Sequence, residues 1–188
     1  MTIHDSISSI AAIKLNIDNW RWQGVPFYVR SGKRLNETIS MIAIQFKPIP
    51  HHAFPVEAIE NWQSNKLILN IQPHMGICMS FQAKQPGLKM LLNPVHMNFN
   101  YEGTYSGGIP EAYETLLLDI FQGDATLFMR ADQVEAAWSI LMPVIDTWKA
   151  NTSPNFPTYD AGSKGPDDAD ALIAADGHNW ITLPLEKK

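Results

Sequence analysis

Lys66-Leu67-Ile68-Leu69-Asn70-Ile71-Gln72-Pro73-His74-Met75-Gly76-Ile77-Cys78-Met79-Ser80-Phe81-Gln82-Ala83-Lys84 decides the fold class. On both sides of a short link holding Pro and Gly, apolar and polar residues alternate with period two. Leu67, Leu69 and Ile71 alternate with Lys66, Asn70 and Gln72, with Ile68 breaking the polar set. Ile77, Met79, Phe81 and Ala83 alternate with Cys78, Ser80, Gln82 and Lys84. Successive side chains of a strand point to opposite faces, so this pattern marks half-buried strands, and the short link makes them an antiparallel hairpin. Further out, Gln85-Pro86-Gly87 marks another turn, with Pro and Gly suited to its two central positions. Beyond it Val95, Met97, Phe99 and Tyr101 alternate with His96, Asn98 and Asn100. Upstream, Ile42, Ile44 and Phe46 continue a β-rich run from Ile39. Ile13, Leu15 and Ile17 predict a fifth strand and Phe27–Arg30 a short sixth. One face of such a sheet is aliphatic and aromatic and needs a covering layer. The other carries Asn70, Gln72, Ser80, Gln82, Asn98 and Asn100, polar but almost uncharged. That face reads either as solvated surface or as a subunit contact, since interface cores are depleted of charge.

Two helices follow. Pro110-Glu111 suits a helix start, and Tyr113, Leu116, Leu117, Ile120 and Phe121 form one apolar stripe before Gly123 ends it. The second is expected from Asp132, with Glu135 three residues on as in a capping box, and buries Val134, Ala137, Trp138, Leu141, Ile145 and Trp148. Pro143 should kink it or end its regular part, because it cannot donate to the carbonyl of Ser139. From Asn151 to Lys188 the chain reads as an extended tail with one short helix, acids in the helix's first turn and Gly177 at its end. The fold class is therefore α+β, a large, mainly antiparallel sheet with helices packed on one face, in one domain spanning residues 1–188.

The 188 residues are 45% hydrophobic and 18% charged, which excludes bulk disorder. Fourteen Lys and Arg against nineteen Asp and Glu leave a net charge of -5, a poor balance for nucleic-acid or anionic-membrane binding. The start lacks the basic and apolar runs of a signal peptide, and no apolar stretch is long enough to span a bilayer. Cys78 stands alone and can neither close an internal disulfide nor build a Cys-rich zinc site, which fits a reducing, cytoplasmic location. No nucleotide-cradling glycine motif, zinc-protease motif or nucleophile elbow occurs. His51-His52 between prolines, His74 in a turn and His96 on a strand read as structural or solvated, and the Asp167, Asp168 and Asp170 cluster as helix capping, so no metal site is expected.

One dense cluster remains, Asp18-Asn19-Trp20-Arg21-Trp22-Gln23-Gly24-Val25-Pro26-Phe27-Tyr28-Val29-Arg30-Ser31-Gly32-Lys33-Arg34-Leu35. A β-type run ends at Ser31-Gly32, where a missing Cβ would let the backbone turn closely past a ligand, and two cations follow. Lys33 offers a mobile point charge and Arg34 a planar fork, either as a phosphate site or as a solvated surface pair.

This cluster resembles the segment that opens the C-terminal domain of the glucose-6-phosphate dehydrogenase family. Ile44-Gln45-Phe46-Lys47-Pro48, Asn70-Ile71-Gln72-Pro73, Ala83-Lys84-Gln85-Pro86-Gly87, Pro110-Glu111-Ala112-Tyr113-Glu114, Gly123-Asp124-Ala125-Thr126-Leu127-Phe128, Glu135-Ala136-Ala137-Trp138 and Ala161-Gly162-Ser163-Lys164-Gly165-Pro166 resemble later family segments in the family's order. The resemblance implies a C-terminal substrate-binding and dimerisation domain of an NADP-dependent oxidoreductase. That enzyme oxidises glucose 6-phosphate to 6-phosphogluconolactone in the pentose phosphate pathway, and is a homodimer through the sheet face. It also implies that the coenzyme domain, the catalytic histidine and the main phosphate-gripping run lie upstream, so this stretch alone is expected to be inactive, with no catalytic residue of its own. Lys33 matches the family lysine that reaches the sugar phosphate. Arg34 is a secondary candidate, and Thr38 stands where the family usually has a second basic residue. Lys84, Lys164 and Trp180 fall where some members bind a second, structural NADP, although Asn70 replaces an arginine there. The alternative is a stand-alone interaction or regulatory domain with the same fold and no catalysis.

Overall fold

The computed structural model describes residues 10–49, 54–59, 62–104, 111–151 and 158–181; His51 and His52 lie outside the described residues. All six expected strands form. β1 (Ile10–Asn16) and β2 (Pro26–Gly32) pair antiparallel as a two-stranded sheet with Lys14 opposite Tyr28 and Ile10 opposite Gly32. β3 (Ser40–Gln45), β4 (Lys66–Gln72), β5 (Gly76–Lys84) and β6 (Leu92–Asn100) form a four-stranded antiparallel meander in chain order. The strands thus divide between two sheets, because Lys33–Ile39 leaves β2 as an irregular connection.

The register of the meander sorts the side chains onto two faces as the alternation predicts, but burial runs against the expectation: the face of the polar set is closed at its centre, and the aliphatic face expected to be covered leaves Ile71, Ile77, Met79, Met97 and Phe99 exposed. Ile68 lies opposite Cys78, and Cys78 opposite Asn98, so these share one face. Its centre is closed, with Ile68, Cys78 and Ser80 all buried, while Gln72, Asn98 and Asn100 toward one end are exposed. Burial pushes the Cys78 thiol up, away from the thiolate. On the opposite face Leu67, Met79 and Met97 stand abreast, as do Leu69, Ile77 and Phe99; Met97 is 63% exposed. A short helix absent from the sequence reading, α1 (Tyr101–Thr104), follows β6; its Glu102 pairs with His74 at 3.0 Å.

The chain forms two compact units, Met1–Ser106 with Pro157–Lys188, and Gly107–Phe156. The second holds α2 (Ala112–Gln122) and α3 (Ala131–Ala150). Gly123 closes α2 in the left-handed conformation at φ 70, as a Cβ-free residue allows. The cap of α3 lies two residues earlier than expected. Arg130 is the N-cap, and Gln133 reaches back to the Arg130 amide, so Asp132 sits in the first turn and not at the cap. Pro143 does not end α3. The helix runs on for another seven residues to Ala150, and the Thr147 hydroxyl donates to the Pro143 carbonyl at 2.8 Å. One lost ladder bond is outweighed by the intact turns on either side.

In the first unit the C-terminal segment returns to the two-stranded sheet. α4 (Asp167–Ala174) follows Pro166, and Ala169 and Ile173 are buried. Lys14 on β1 pairs with Asp176 at 2.6 Å, and the Tyr28 hydroxyl on β2 donates to the same carboxylate. These two donors, Lys14 first, hold the Asp176 carboxyl below the usual carboxylate range. Partial burial and the carboxylate beside it push Tyr28 up to about 12. Two residues along β2 from Tyr28, Arg30 lies over the Trp180 ring at 4.6 Å, and the Trp180 indole donates to the Ala169 carbonyl at 2.9 Å.

Candidate functional site

Lys33 and Arg34 sit where β2 ends, and the cause of the ending is local. A Cβ on Gly32 would stand 3.0 Å from Ile10 Cγ1 and 3.1 Å from Leu35 Cδ1. Gly32 therefore admits neighbouring side chains of its own fold, which fill the space the sequence reading had left for a ligand. Arg34 takes the left-handed conformation at φ 53, a region that costs an L-residue with a Cβ about 1–2 kcal/mol. The chain bends there, so the strand period does not extend to Arg34.

A segment more than a hundred residues away holds this turn. The Tyr159 hydroxyl donates to the Lys33 carbonyl at 2.7 Å. The Gly162 amide donates to the Arg34 carbonyl at 2.8 Å, and the Asn36 amide to the Ser163 carbonyl at 2.9 Å. Gly165, at φ 103, packs so tightly that an added Cβ would meet Ile10 Cδ1 at 2.7 Å. The segment is itself braced, with the Gly165 amide donating to the Ser163 hydroxyl at 3.2 Å. Lys33 and Arg34 are exposed and form no ion pair among the described residues. A backbone fixed on both sides with a free ammonium group is suited to meeting an anion, because the ordering of the turn is complete before the ligand arrives.

The structure brings one further candidate into this neighbourhood. Lys164 lies between Ser163, bonded to Asn36, and Gly165, packed on Ile10 and Leu35, and is exposed. Thr38 is exposed beyond the pinned stretch. Lys84 belongs to the other sheet, where its amine donates to the carbonyls of Gln85 at 3.0 Å and Gly87 at 2.8 Å and closes the β5–β6 turn. Trp180 faces Arg30 and Tyr28. Among the described residues no group of three or more His, Cys, Asp or Glu converges as a metal site, and no helix is long and apolar enough to cross a membrane. Sequence reasoning missed Tyr159, Arg30 and Asp176, whose partners lie far away in the chain; no spacing rule connects Tyr159 to Lys33 across 126 residues.

Comparison with known proteins agrees with this architecture. Residues 3–181 match the family model described as glucose-6-phosphate dehydrogenase, C-terminal domain. The glucose-6-phosphate 1-dehydrogenase of Chlamydia pneumoniae is 43% identical over 94% of this chain and 35% of its own length. That of Mycolicibacterium smegmatis is 44% identical over the same shares. A solved glucose-6-phosphate dehydrogenase in complex with its substrate glucose-6-phosphate superposes with a TM-score of 0.81 at 32% identity, over 93% of this chain and 35% of that one. A crystal structure of glucose-6-phosphate 1-dehydrogenase from Mycobacterium avium gives 0.76 at 29% identity, over 95% and 36%. The chain thus spans about a third of the length of the curated relatives it matches. On this match along nearly its whole length, the chain belongs to the family of glucose-6-phosphate dehydrogenase C-terminal domains.

Proposed function

We propose that this chain is the sugar-phosphate-binding and pairing part of a cytoplasmic NADP-dependent glucose-6-phosphate dehydrogenase, completed by an upstream coenzyme portion. The observation that carries the reading is the Lys33–Arg34 turn, fixed by Tyr159, Gly162 and Ser163 with its ammonium group unpaired among the described residues, in a chain of this family. A phosphate dianion placed against Lys33 gains a charge-assisted hydrogen bond. Arg34 and Lys164 add positive potential from the same turn region, and Thr38 can donate one neutral hydrogen bond. In this reading Lys33 binds and orients the substrate and carries no proton for the reaction. NADP, held upstream, accepts the hydride.

The residues offered for a second nucleotide fit it poorly. The Lys84 amine is engaged by two turn carbonyls, the Trp180 ring by Arg30, and Asn70 donates to the His74 carbonyl in place of offering a charge. No step is assigned to Lys84, Lys164 or Trp180 through such a group. The same proposal pairs two copies through the sheet, supported by the exposed and uncharged Gln72, Asn98 and Asn100; sedimentation of the chain as a monomer at high micromolar concentration would remove that contact.

The decisive experiment is Lys33→Ala in the full-length enzyme. The KM for glucose 6-phosphate should rise tenfold or more with kcat changed less, since a lost charge-assisted contact is worth about 1.5–3 kcal/mol. An unchanged KM removes Lys33 from the site. The purified 188-residue chain should show no turnover with glucose 6-phosphate and NADP, and turnover would overturn the division of labour.

A further inference from the structure

We infer that Tyr159 is a positioning residue for the sugar-phosphate site, acting through the carbonyl of Lys33; this rests on the proposed role of Lys33. The argument begins with what the turn lacks. Lys33 and Arg34 lie past the end of β2, outside any ladder, and Arg34 is in the left-handed region that a residue with a Cβ rarely occupies. Such a conformation persists only where surrounding structure determines it, and it clusters where a ligand must be met in one geometry.

Here the determining contacts come from one segment. Gly162 and Ser163 fix the backbone on the far side of the left-handed residue, at the Arg34 carbonyl and the Asn36 amide. On the near side the Tyr159 hydroxyl, at 2.7 Å, holds the peptide group of Lys33 itself. That bond is the one side-chain contact of the three, so it can be deleted without disturbing the path of the 159–165 backbone. Without it the Lys33–Arg34 peptide can rotate, and the ammonium group four carbons away is no longer presented from a fixed root. Loss of such ordering weakens binding by restoring a conformational cost to the ligand and leaves chemistry on bound substrate untouched.

The test is kinetic, in the full-length enzyme, with Tyr159→Phe, which keeps the ring and removes only the donor. The KM for glucose 6-phosphate should rise about three- to tenfold with kcat within twofold, and amide hydrogen exchange at Asn36 should quicken. Lys33→Ala and the double variant complete the cycle: with the ammonium group gone, Tyr159→Phe should add almost nothing. If Lys33→Ala leaves KM unchanged, the site assignment itself fails. If Lys33→Ala raises KM but Tyr159→Phe does not, or the two effects multiply independently, Lys33 stands as the phosphate contact and the positioning role is overturned. Should Tyr159→Phe fold poorly, Tyr159→Leu assayed well below its melting temperature supplies a second arm, since it also removes the donor to the Lys33 carbonyl and should raise KM. An unchanged KM there overturns the inference.

Discussion

Replacing Gly165 with alanine probes the junction between the C-terminal segment and the Lys33 turn. Two independent penalties are legible in the structure. The backbone sits at φ 103, outside the regions L-residues favour, which costs about 1–2 kcal/mol for any residue with a Cβ. The new methyl would stand 2.7 Å from Ile10 Cδ1, roughly 1 Å inside an ordinary carbon–carbon contact. Ile10 Cδ1 is the end of a flexible side chain and can swing aside, so this clash costs no more than an off-rotamer torsion, about 0.5–1.5 kcal/mol. The sum is about 1.5–3.5 kcal/mol, or a fall in Tm of about 3–14 °C for a chain of this size. Circular dichroism melts and urea titrations of wild type, Gly165→Ala and Gly165→Ala/Ile10→Val separate the two parts. Ile10→Val removes Cδ1 and should relieve the steric share alone. A Gly165→Ala loss under about 0.5 kcal/mol would refute the reasoning, and full rescue by Ile10→Val would refute the backbone share.

Three further outcomes follow from the same geometry. Asp176 is held below its ordinary pKa by Lys14 and Tyr28, so its contribution to stability is present above about pH 4 and is lost as pH falls further; Asp176→Asn should flatten the acid limb of the stability curve, and an unchanged limb would discount the pair. Tyr28 is raised from 10.0 to about 12, so the folded state keeps its proton longer than the unfolded one, and its contribution, full below pH 10, is lost as pH rises toward 12; absorbance at 295 nm should show a late-titrating component that Tyr28→Phe removes. At Gly76 an added Cβ would meet the Phe99 carbonyl oxygen at 2.7 Å, where no side chain can swing away, so Gly76→Ala should cost about 1–3 kcal/mol by urea denaturation, and near-neutrality would mean that β6 yields easily.

The strands were legible because side-chain type follows the pleat, although which face is covered was not: the buried centre holds Ile68, Cys78 and Ser80 on the face of the polar set. Leu67, Leu69, Ile77, Met79, Met97 and Phe99 alternate with polar residues and stand together on one face of the meander. The division into two sheets was not legible, since alternation gives each strand's faces but no signal for which strands pair. The capping box of α3 was misplaced because an Asp followed three residues later by Glu satisfies the pattern as well as Arg130 with Gln133 does. Of the two outcomes expected at Pro143, a kink or an end, the end does not occur, because the continuity of α3 depends on the turns around the proline. At the candidate site, the sequence showed the two cations and the glycine before them. It could not show that Gly32 makes room for Ile10 and Leu35, or that Tyr159 reaches Lys33, because both depend on tertiary proximity that leaves no periodic trace.

The bond between Tyr159 and Lys33 also sets an order of events during synthesis. A growing polypeptide must be extended by 126 residues after Lys33 before the hydroxyl that steadies it exists. Both sheets can close as they leave the ribosome, but the backbone at Lys33 and Arg34 settles only once the segment from Tyr159 to Ser163 has been made. Nascent chains halted before Tyr159 would therefore carry their sheets without a settled Lys33–Arg34 backbone, so local order there follows that of the strands.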